Sequence, residues 1–364
     1  MRRRSPTAPM AERPLGFREI SGTEPAAPGI GDAQPASDTE MLDDRVVARL
    51  LPDRAVRGHK GTFGKLLVIA GSLDYAGAPL LVCRAAGRAG AGLVTLAVPE
   101  SLQMLFAGKI VEATTMALPE DEDGELDPEA ALARILDHEH DAIVLGPGLR
   151  PGLATTELVR ELIDSSGEET PAPLVLDAEA LRSMATLGAW WTESRRPAVL
   201  TPHPGEFARL RGGEGADPAD DGDLVGDDAA RLRAARAAAG RWGQVVILKG
   251  AKTVIADPDG RAAVAPFENP ALATGGTGDV LSGVVGALLA QGLSPARAAR
   301  VGVYLHGMAG DVVRERLGDA GLLASDLCEV LPIVRRRLAV IAERDRGGKR
   351  LGFGIREVVA PTDD

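Results

Sequence analysis

The sequence predicts an α/β domain with a doubly wound, mostly parallel central sheet and helices on both faces. Short runs that are almost continuously apolar recur along the chain, as expected for strands that are covered on both faces. Alanine-rich runs of helical length lie between them, which is the alternation typical of a parallel sheet. The composition, 45% hydrophobic and 26% charged, is that of a soluble globular protein.

Six apolar runs are predicted as the strands of this sheet. A further segment, TVIADPDGRAAVAP, has two short β-rich runs around a Pro-Asp-Gly turn and predicts a hairpin at the edge of the sheet. The helical runs include GAPLLVCRAAGRAGA and AARLRAARAAAGRWG. The predicted strands span residues 65–71, 93–99, 142–148, 173–179, 198–204 and 244–250.

The two ends of the chain differ from the part between them. Residues 1–40 are rich in Pro, Ala, Gly, Ser and acids without a hydrophobic period, which predicts a disordered extension. A short helix capped by Asp38 or Thr39 is predicted next, within DTEMLDDRVVARLLP. We therefore expect one domain over 41–342 and a flexible tail over 343–364. The apolar stripe of the short helix would comprise Met41, Val46, Val47, Leu50 and Leu51.

Charge, cysteines and hydropathy exclude several classes of protein. The net charge of -11 without a long basic run argues against binding to nucleic acid or to a membrane surface. Cys83 and Cys328 lie in apolar helical patterns and predict reduced, buried thiols. Neither a membrane span nor a secretory signal is recognisable, so the cytoplasm is the expected location. The Gly- and Asp-rich segment 211–228 predicts a solvated surface insertion.

Small or polar residues follow the predicted strands directly. In open α/β sheets, ligands bind at the carboxyl ends of the strands, so these residues are candidates for a site. Together they predict a ligand-binding rim, although each is a weak signal alone. They are Gly71 and Ser72, Gly146 to Gly148, Asp177, the segment TPHPGE (201–206) and the segment KGAKT (249–253).

The segment ATGGTGDVLSG (273–283) combines several glycines with one acid ahead of an apolar helix. The N–H groups of a helix's first turn attract anions, so Gly275, Gly276, Thr277 and Gly278 predict a phosphate cradle. The segment is neither a Walker loop nor a Rossmann fingerprint. Asp279 either complements the helix dipole or works chemically beside a bound phosphate, and spacing alone leaves both interpretations open.

Two lysines and two histidines are further candidates. Lys249 and Lys252 either contact phosphates as point charges or belong to a solvated turn. His203 lies between two prolines and either contacts a ligand or caps local structure. His306, in the helical run VGVYLHGMAGD, is expected in the core rather than in catalysis. No Ser-His-Asp set and no zinc site is recognisable.

Seven motifs, in this order and spacing, resemble those of the ADP/ATP-dependent NAD(P)H-hydrate dehydratases. The resemblance covers about residues 50–338 and implies a ribokinase-like fold. Members of this family dehydrate NADHX and NADPHX, the hydrated forms of NADH and NADPH, with ADP or ATP as co-substrate. The motifs are GTFGKLLVIAGS, GAGLVTLAVP, AIVLGPGL, PLVLDAEAL, LTPHPGEFARL, VVILKGAKT and NPALATGGTGDVLSGVVGALLAQG.

The resemblance also implies roles for individual residues. Ala78, Gly148 and His203 would line the site for the hydrated nicotinamide nucleotide, and Asp279 would contact that substrate. The adenine nucleotide would be bound by Lys249, Gly250, Ala251, Lys252, Thr253 and Gly278. Mg²⁺, a homotetramer and a separate NAD(P)H-hydrate epimerase as a partner are further implications, since the short segment before this domain predicts no fused epimerase.

A chemical argument connects the predicted site with dehydration. Hydroxide is a poor leaving group, and phosphorylation of the hydroxyl converts it into a good one that the ring nitrogen can expel. In this hypothesis Asp279 takes the hydroxyl proton, and the N–H groups of residues 275–278 hold the transferring phosphoryl group. The predicted activity is that of an ADP-dependent (S)-NAD(P)H-hydrate dehydratase, a hydro-lyase. Alternatives are a hydroxymethylpyrimidine or hydroxyethylthiazole kinase and a nucleotide sensor without turnover.

Overall fold

A ten-stranded sheet forms the centre of the described part of the chain. The computed structural model describes residues 39–164, 171–194, 196–212 and 222–345 of the 364 residues. The strand order is β1-β10-β9-β8-β7-β6-β5-β2-β3-β4. The pairs from β4 across to β8 are parallel, whereas β9 is antiparallel to both β8 and β10. The predicted mostly parallel sheet is confirmed.

The strands are short and mostly buried. The six predicted strands are all present, and most end earlier than predicted because the chain turns at the small residues that follow them. The strands are β1 (Thr39–Met41), β2 (Lys65–Ile69), β3 (Leu93–Pro99), β4 (Thr114–Leu118), β5 (Ala142–Leu145), β6 (Leu174–Leu176), β7 (Ala198–Leu200), β8 (Val245–Leu248), β9 (Val254–Ala256) and β10 (Ala262–Val264).

Eleven α-helices accompany these strands in the described parts of the chain. They are α1 (Asp44–Leu50), α2 (Gly77–Ala89), α3 (Gln103–Ala107), α4 (Pro128–Leu136), α5 (Leu153–Asp164), α6 (Glu179–Thr186), α7 (Pro204–Gly212), α8 (Asp228–Trp242), α9 (Thr277–Ala290), α10 (Pro295–Leu317) and α11 (Ala324–Asp345).

Two apolar cores lie on opposite faces of the sheet. Successive side chains of a strand point to opposite faces, and in β2 Leu66 and Val68 join one core while Leu67 and Ile69 join the other. The first core contains side chains of α1, α2, α9, α10 and α11. The second contains side chains of α4 to α8. Helices therefore cover both faces, as the doubly wound fold requires.

Three local predictions need correction. Thr39 and Met41 belong to β1 and not to a helix, because Met41 pairs with Val264 of β10 in a parallel ladder. The cap of α1 is Asp43, whose carboxylate accepts from the N–H groups of Arg45 and Val46. The predicted hairpin is confirmed as β9 and β10, but β1 covers β10, so the hairpin is not the edge of the sheet.

The predicted chain ends fall mainly outside the described residues. Residues 1–38 of the predicted disordered extension lie outside the described residues. Its last two residues, 39 and 40, form part of β1. The predicted tail lies outside the described residues from residue 346, while α11 continues to Asp345. Residues 213–221 of the predicted insertion also lie outside, and its end forms the cap and start of α8. None of the helices in the described part has the length and hydropathy that crossing a membrane demands.

Cys83 and Cys328 lie in the first core, as predicted. Both are buried and neither forms a disulfide. Burial raises the pKa of the Cys83 thiol to about 12 and that of Cys328 to about 11. Thiols held neutral in this way are poor nucleophiles, which agrees with a packing role.

Candidate active site

The carboxyl ends of β6, β7 and β8 meet at one rim of the sheet. Because these strands are parallel neighbours, the residues that follow them converge although they are distant in sequence. Asp177 follows β6, His203 follows β7 and Lys249 follows β8. The first turn of α9, which carries Asp279, completes the rim.

Lys249 is the centre of the polar network at this rim. Its Nζ donates to Asp177 Oδ1 at 2.9 Å and lies 3.7 Å from Glu206 Oε2. The Ser282 hydroxyl of α9 donates to Asp177 Oδ2 at 2.7 Å. Burial alone would lower the pKa of Lys249, but Asp177 and Glu206 raise it above its ordinary value. Lys249 is therefore a cation that two carboxylates already hold in place.

Asp177 stays ionised despite being only 2% exposed. Burial would raise its pKa, but the charge of Lys249 and the hydrogen bonds from Ser282 and Lys249 outweigh this effect and lower it. The sequence marked Asp177 only as a residue after a strand. The structure makes it the carboxylate that links β6 to β8 and α9.

Asp279 differs from Asp177 in its electrostatics. Burial, and then the charge of Asp177, raise the pKa of Asp279 to about 7, although Lys249 opposes the change. Among the described residues, its carboxylate has no hydrogen-bond partner. A carboxylate at a helix N-terminus normally has a lowered pKa, so burial outweighs the helix dipole here. A carboxylate with this pKa is suited to accepting a proton near neutral pH.

The glycine-rich turn brings backbone close to these charges. Gly276 caps α9 with φ 88°, a left-handed conformation that favours glycine. A Cβ at Gly278 would lie 3.5 Å from Lys249 Nζ and 3.9 Å from Asp177 Oδ2. The Thr277 hydroxyl donates to the carbonyls of Leu272 and Thr274, both at 2.9 Å, which fixes the turn. The predicted anion cradle therefore lies directly beside Lys249 and Asp279.

A cavity of about 540 Å³ opens next to this turn. Phe267, Pro270, Leu281 and Val303 contribute apolar walls. A volume of this size is in the range of small-molecule and cofactor sites. Six residues predicted to bind nucleotide line it, namely Lys249, Gly250, Ala251, Thr253, Thr277 and Gly278, whereas Lys252, Gly275 and Gly276 lie outside its lining.

The Lys252 side chain is held by two carboxylates and does not belong to the lining of the cavity. Its Nζ lies 3.1 Å from Asp228 and 2.9 Å from Glu268, and its hydrogen bonds with Glu268 and then Asp228 raise its pKa. Its backbone N–H donates to the Phe267 carbonyl at 2.8 Å. Of the two lysines in this segment, Lys249 is therefore the one that lines the cavity.

Two of the three predicted substrate residues are neighbours, and the third lies beside Glu206. A Cβ at Gly148 would lie 3.0 Å from the Cβ of Ala78, so these two residues are adjacent. His203 is half exposed, its Nδ1 accepts from the Gly205 N–H at 3.0 Å, and its Nε2 lies 3.6 Å from Glu206 Oε1. None of the three belongs to the lining of the cavity. In the described part of the chain, the predicted substrate residues and the predicted nucleotide residues therefore do not share the lining of this cavity.

His306 lines the cavity, although the sequence predicted it in the core. Its Nε2 lies 2.9 Å from the Thr277 carbonyl oxygen, and because a carbonyl can only accept, Nε2 carries the proton. Burial lowers the pKa of His306 to about 4, so the ring is neutral at physiological pH. Val303 lies one helical turn before His306 and Gly307 and lines the same wall as these two residues. The helical spacing shows from the sequence that Val303 and His306 share one face of a helix. Whether that face borders a cavity or the core depends on the neighbouring elements, which the sequence pattern does not give.

The carboxylates of the rim do not form a metal cage of their own. Within the described ranges, no group of three or more His, Cys, Asp or Glu side chains could hold a metal ion. Mg²⁺ in nucleotide sites is held by one or two carboxylates together with phosphate oxygens and water. Both oxygens of Asp177 and Oε2 of Glu206 already accept hydrogen bonds, so the geometry singles out neither of these carboxylates as a magnesium ligand.

The fold and the rim define the chain as a ribokinase-like α/β protein with a candidate nucleotide site. A ribokinase-like superfamily protein from Enterococcus faecalis shares this fold with a TM-score of 0.67 at 22% identity, over 85% of this chain and 99% of that chain. Residues 66–333 match the family model described as NAD(P)H-hydrate dehydratase. The chain belongs to the NAD(P)H-hydrate dehydratase family.

Individual relatives agree with this assignment. The chain is 44% identical to a bifunctional NAD(P)H-hydrate repair enzyme of Moorella thermoacetica, over 79% of this chain and 52% of that protein. It is 37% identical to an ADP-dependent (S)-NAD(P)H-hydrate dehydratase of Neisseria meningitidis, over 78% of this chain and 89% of that protein. The chain thus spans about half the length of the bifunctional relatives.

A solved structure shares both fold and sequence. The ADP/ATP-dependent NAD(P)H-hydrate dehydratase of Bacillus subtilis, co-crystallised with ATP/Mg²⁺, has a TM-score of 0.68 and 32% identity. The match covers 82% of this chain and 98% of that chain. A hydroxyethylthiazole kinase of Pyrococcus horikoshii shares the fold alone, with a TM-score of 0.51 at 15% identity over 81% of this chain and 94% of that chain.

Proposed function

We propose that the protein is an ADP-dependent (S)-NAD(P)H-hydrate dehydratase that converts NADHX or NADPHX into NADH or NADPH. The observation that carries this proposal is Asp279, a buried carboxylate with a pKa raised to about 7, beside a glycine-rich anion cradle and Lys249. Membership of the family and the name of the Neisseria relative support it. A cavity lined by Lys249 and Gly278 is a suitable place for the adenine nucleotide.

The first proposed step is phosphoryl transfer. Asp279 takes the proton of the C6 hydroxyl as that oxygen attacks the terminal phosphorus of ADP. An O–P bond forms to the substrate, the bridging P–O bond of ADP breaks, and AMP leaves. Positioned general-base help of this kind contributes about 10²–10⁴-fold to the rate. The backbone N–H groups of 275–278 and the Lys249 ammonium stabilise the charge of the transferring group.

The second proposed step is elimination. The lone pair of the ring nitrogen expels phosphate from C6 and forms an iminium ion, and loss of a proton from C5 then completes the dihydropyridine ring. The products are the reduced nicotinamide nucleotide, AMP and inorganic phosphate. The protein's contribution to this step is to bind the ring, in the region of Ala78, Gly148 and His203, next to the carboxylate that prepared the hydroxyl.

Bound Mg²⁺ would neutralise phosphate charge and would be held mainly by phosphate oxygens and water. Glu206 is buried, and its Oε2 accepts from the His203 N–H at 2.9 Å. Glu206 thus holds His203, which we assign to the substrate region, near Lys249, which we assign to the nucleotide. A homotetramer and a separate epimerase as a partner stay predictions from the family resemblance.

The test of the proposed function is a nucleotide-dependent dehydration assay. The protein is mixed with NADHX, Mg²⁺ and either ADP or ATP, and the absorbance of NADH is followed. The expected result is NADH formation that requires the nucleotide, with AMP and phosphate formed from ADP in equal amounts. Absence of a nucleotide-dependent NADH signal would exclude the dehydratase. A stable phosphorylated product from a small alcohol substrate would favour the kinase alternative instead.

A further inference from the structure

A buried arginine lies directly beneath the segment that lines the cavity. Arg231, in the first turn of α8, is only 1% exposed. Its Nη2 donates to the Leu248 carbonyl at 3.1 Å, and its Nη1 donates to the Ala251 carbonyl. One guanidinium therefore holds the backbone on both sides of Lys249 and Gly250.

The guanidinium determines the shape of this loop as well as its position. Its donors project in a fixed planar fork, so two bonds from one group fix the distance between the two carbonyls. A Cβ at Gly250 would lie 2.7 Å from Arg231 Nη2, at a backbone φ of 149°. Glycine at this position is thus explained by close contact with Arg231. Contact with a phosphate is not needed to explain it.

The positive charge of Arg231 is poorly compensated. Within the described ranges, the carboxylate at ion-pair distance is Asp228, whose Oδ1 lies 3.9 Å from Nη1 and which also binds Lys252. The Arg231 Nε has no hydrogen-bond partner there, and burial lowers the pKa of the guanidinium. A buried charge held mainly by carbonyls lowers stability, so a compensating role in the neighbouring site is expected.

We propose that Arg231 is a positioning residue for the adenine nucleotide. It keeps the carbonyls of Leu248 and Ala251 directed toward itself and not into the cavity, whose lining does not include Arg231. These carbonyls would otherwise repel an anionic ligand. It also fixes the backbone that carries Lys249 before the nucleotide binds. This inference rests on the proposed nucleotide site and adds to it a residue that does not contact the ligand.

The decisive variant is Arg231→Lys, which keeps a cation but loses the fork. The expected result is an increase of about tenfold in the dissociation constant and KM of ADP, as for the loss of one charged hydrogen bond. The KM of NADHX is expected to stay near its wild-type value, because Ala78, Gly148 and His203 lie outside the segment that Arg231 holds. ADP binding is measured by calorimetry and the kinetic constants by the NADH assay.

The matched control is Arg196→Lys. Arg196 is also 1% exposed, and its Nη1 donates to the Ala172 carbonyl at 3.1 Å. It precedes β7 and Ala172 precedes β6, so it lies at the amino ends of these strands, opposite the site. Arg196→Lys is expected to lower the melting temperature without weakening ADP binding. The proposal would be overturned if ADP binding were weakened equally in both variants, or if it were unchanged in Arg231→Lys.

A second variant covers the case in which Arg231→Lys does not fold. Gly250→Ala presses a methyl group against the guanidinium without removing any charge, so it should weaken ADP binding in the same direction. Unchanged ADP binding in a folded Gly250→Ala protein would contradict the role of this contact. Calorimetry also separates the two proposals, because wild-type protein that binds ADP but forms no NADH would refute the dehydratase and leave the role of Arg231 intact.

Discussion

Asp279 meets two opposing requirements, because the burial that makes its carboxylate a stronger base also lowers the stability of the folded chain. Burial and Asp177 raise its pKa to about 7, while Lys249 limits the increase. Asp177, also buried, stays ionised because Lys249 and Ser282 donate to it directly. Two neighbouring aspartates thus have different protonation behaviour, which matches a division between a proton acceptor and a structural anchor.

Asp279→Asn is expected to abolish turnover while ADP binding is retained. The amide is nearly isosteric but cannot accept the hydroxyl proton, so kcat should fall by at least about 10²-fold. The wild-type enzyme should show an acid limb in kcat/KM with a midpoint near the raised pKa of about 7, since only the ionised carboxylate is a base. Steady-state kinetics between pH 5 and 9 and ADP calorimetry test this. An active Asn variant would remove Asp279 from the role of base.

The same variant should be more stable than wild type, and the gain should depend on pH. Below about pH 4 the Asp279 carboxyl is protonated and neutral in both the folded and the unfolded chain, so it does not change the free energy of unfolding through its charge. Between about pH 4 and 7 Asp279 ionises only in the unfolded chain, so wild-type stability falls relative to that of the Asn variant as pH rises. Above pH 7 the gain of the Asn variant levels off at no more than about 4 kcal/mol. Urea unfolding at pH 5 and 8 measures the difference in free energy of unfolding between the Asn variant and wild type. An equal difference at both pH values would contradict the raised pKa.

At the scale of the elements, α9 does more than carry the cradle. It packs against α2 so closely that a Cβ at Gly283 would overlap the Val82 carbonyl oxygen and lie 3.0 Å from the Ala85 Cβ. Leu81, on the same helix α2, would lie 2.7 Å from a Cβ at Gly276, beside the start of α9. The glycines of α9 therefore place the cradle relative to α2, where Ala78 lies.

Gly283→Ala is expected to lower the free energy of unfolding by roughly 1–3 kcal/mol, because the added methyl group has no space between the helices. Gly87→Ala on α2 is the matched control, since a Cβ there would meet nothing within 4 Å. It should raise the free energy of unfolding by up to about 1 kcal/mol through helix propensity. Urea unfolding of both variants gives the comparison. Stabilisation by Gly283→Ala would show that the helices separate more easily than their contact indicates.

The elements that the sequence missed are those without a strong local pattern. β4 (Thr114–Leu118) is an edge strand in which only Met116 and Leu118 are buried, so it lacks a continuous apolar run. β1 has three residues, and its buried partner strand is more than 200 residues later in the chain. A signal of three residues is too short for periodicity, and pairing with a distant strand is decided by the tertiary structure.

At the scale of the whole molecule, Arg300 ties β1 to the hairpin of β9 and β10. Arg300 of α10 donates to both carboxylate oxygens of Asp257, at 3.0 and 2.8 Å, in the turn between β9 and β10. Its Nε lies 3.7 Å from Glu40 of β1. Leu42, just after β1, is buried, and its N–H donates to the Val264 carbonyl at 2.9 Å. The segment from 39 to 42 is therefore part of the domain.

A truncated protein that starts at Asp43 is expected to be less stable than one that starts at Asp38. The shorter protein loses the β1 ladder and the burial of Leu42, which together should lower the free energy of unfolding by at least about 2 kcal/mol. It also exposes the edge of β10, which favours association. Thermal melts and light scattering of the two proteins check both effects. Equal melting temperatures would show that β1 adds nothing to the fold.

The sequence by itself determined the fold class, the six central strands and most residues of the candidate site. These features are encoded locally, since an apolar run predicts a strand and small or polar residues after it predict a ligand rim. Tertiary structure decided which of them meet. Asp177 contacts Lys249 and Ser282 across 72 and 105 residues, and Lys252 pairs with Asp228 and Glu268 although it is three residues from Lys249. The raised pKa of Asp279 and the contacts of Arg231 follow from burial, and burial exists only once the sheet and helices have assembled.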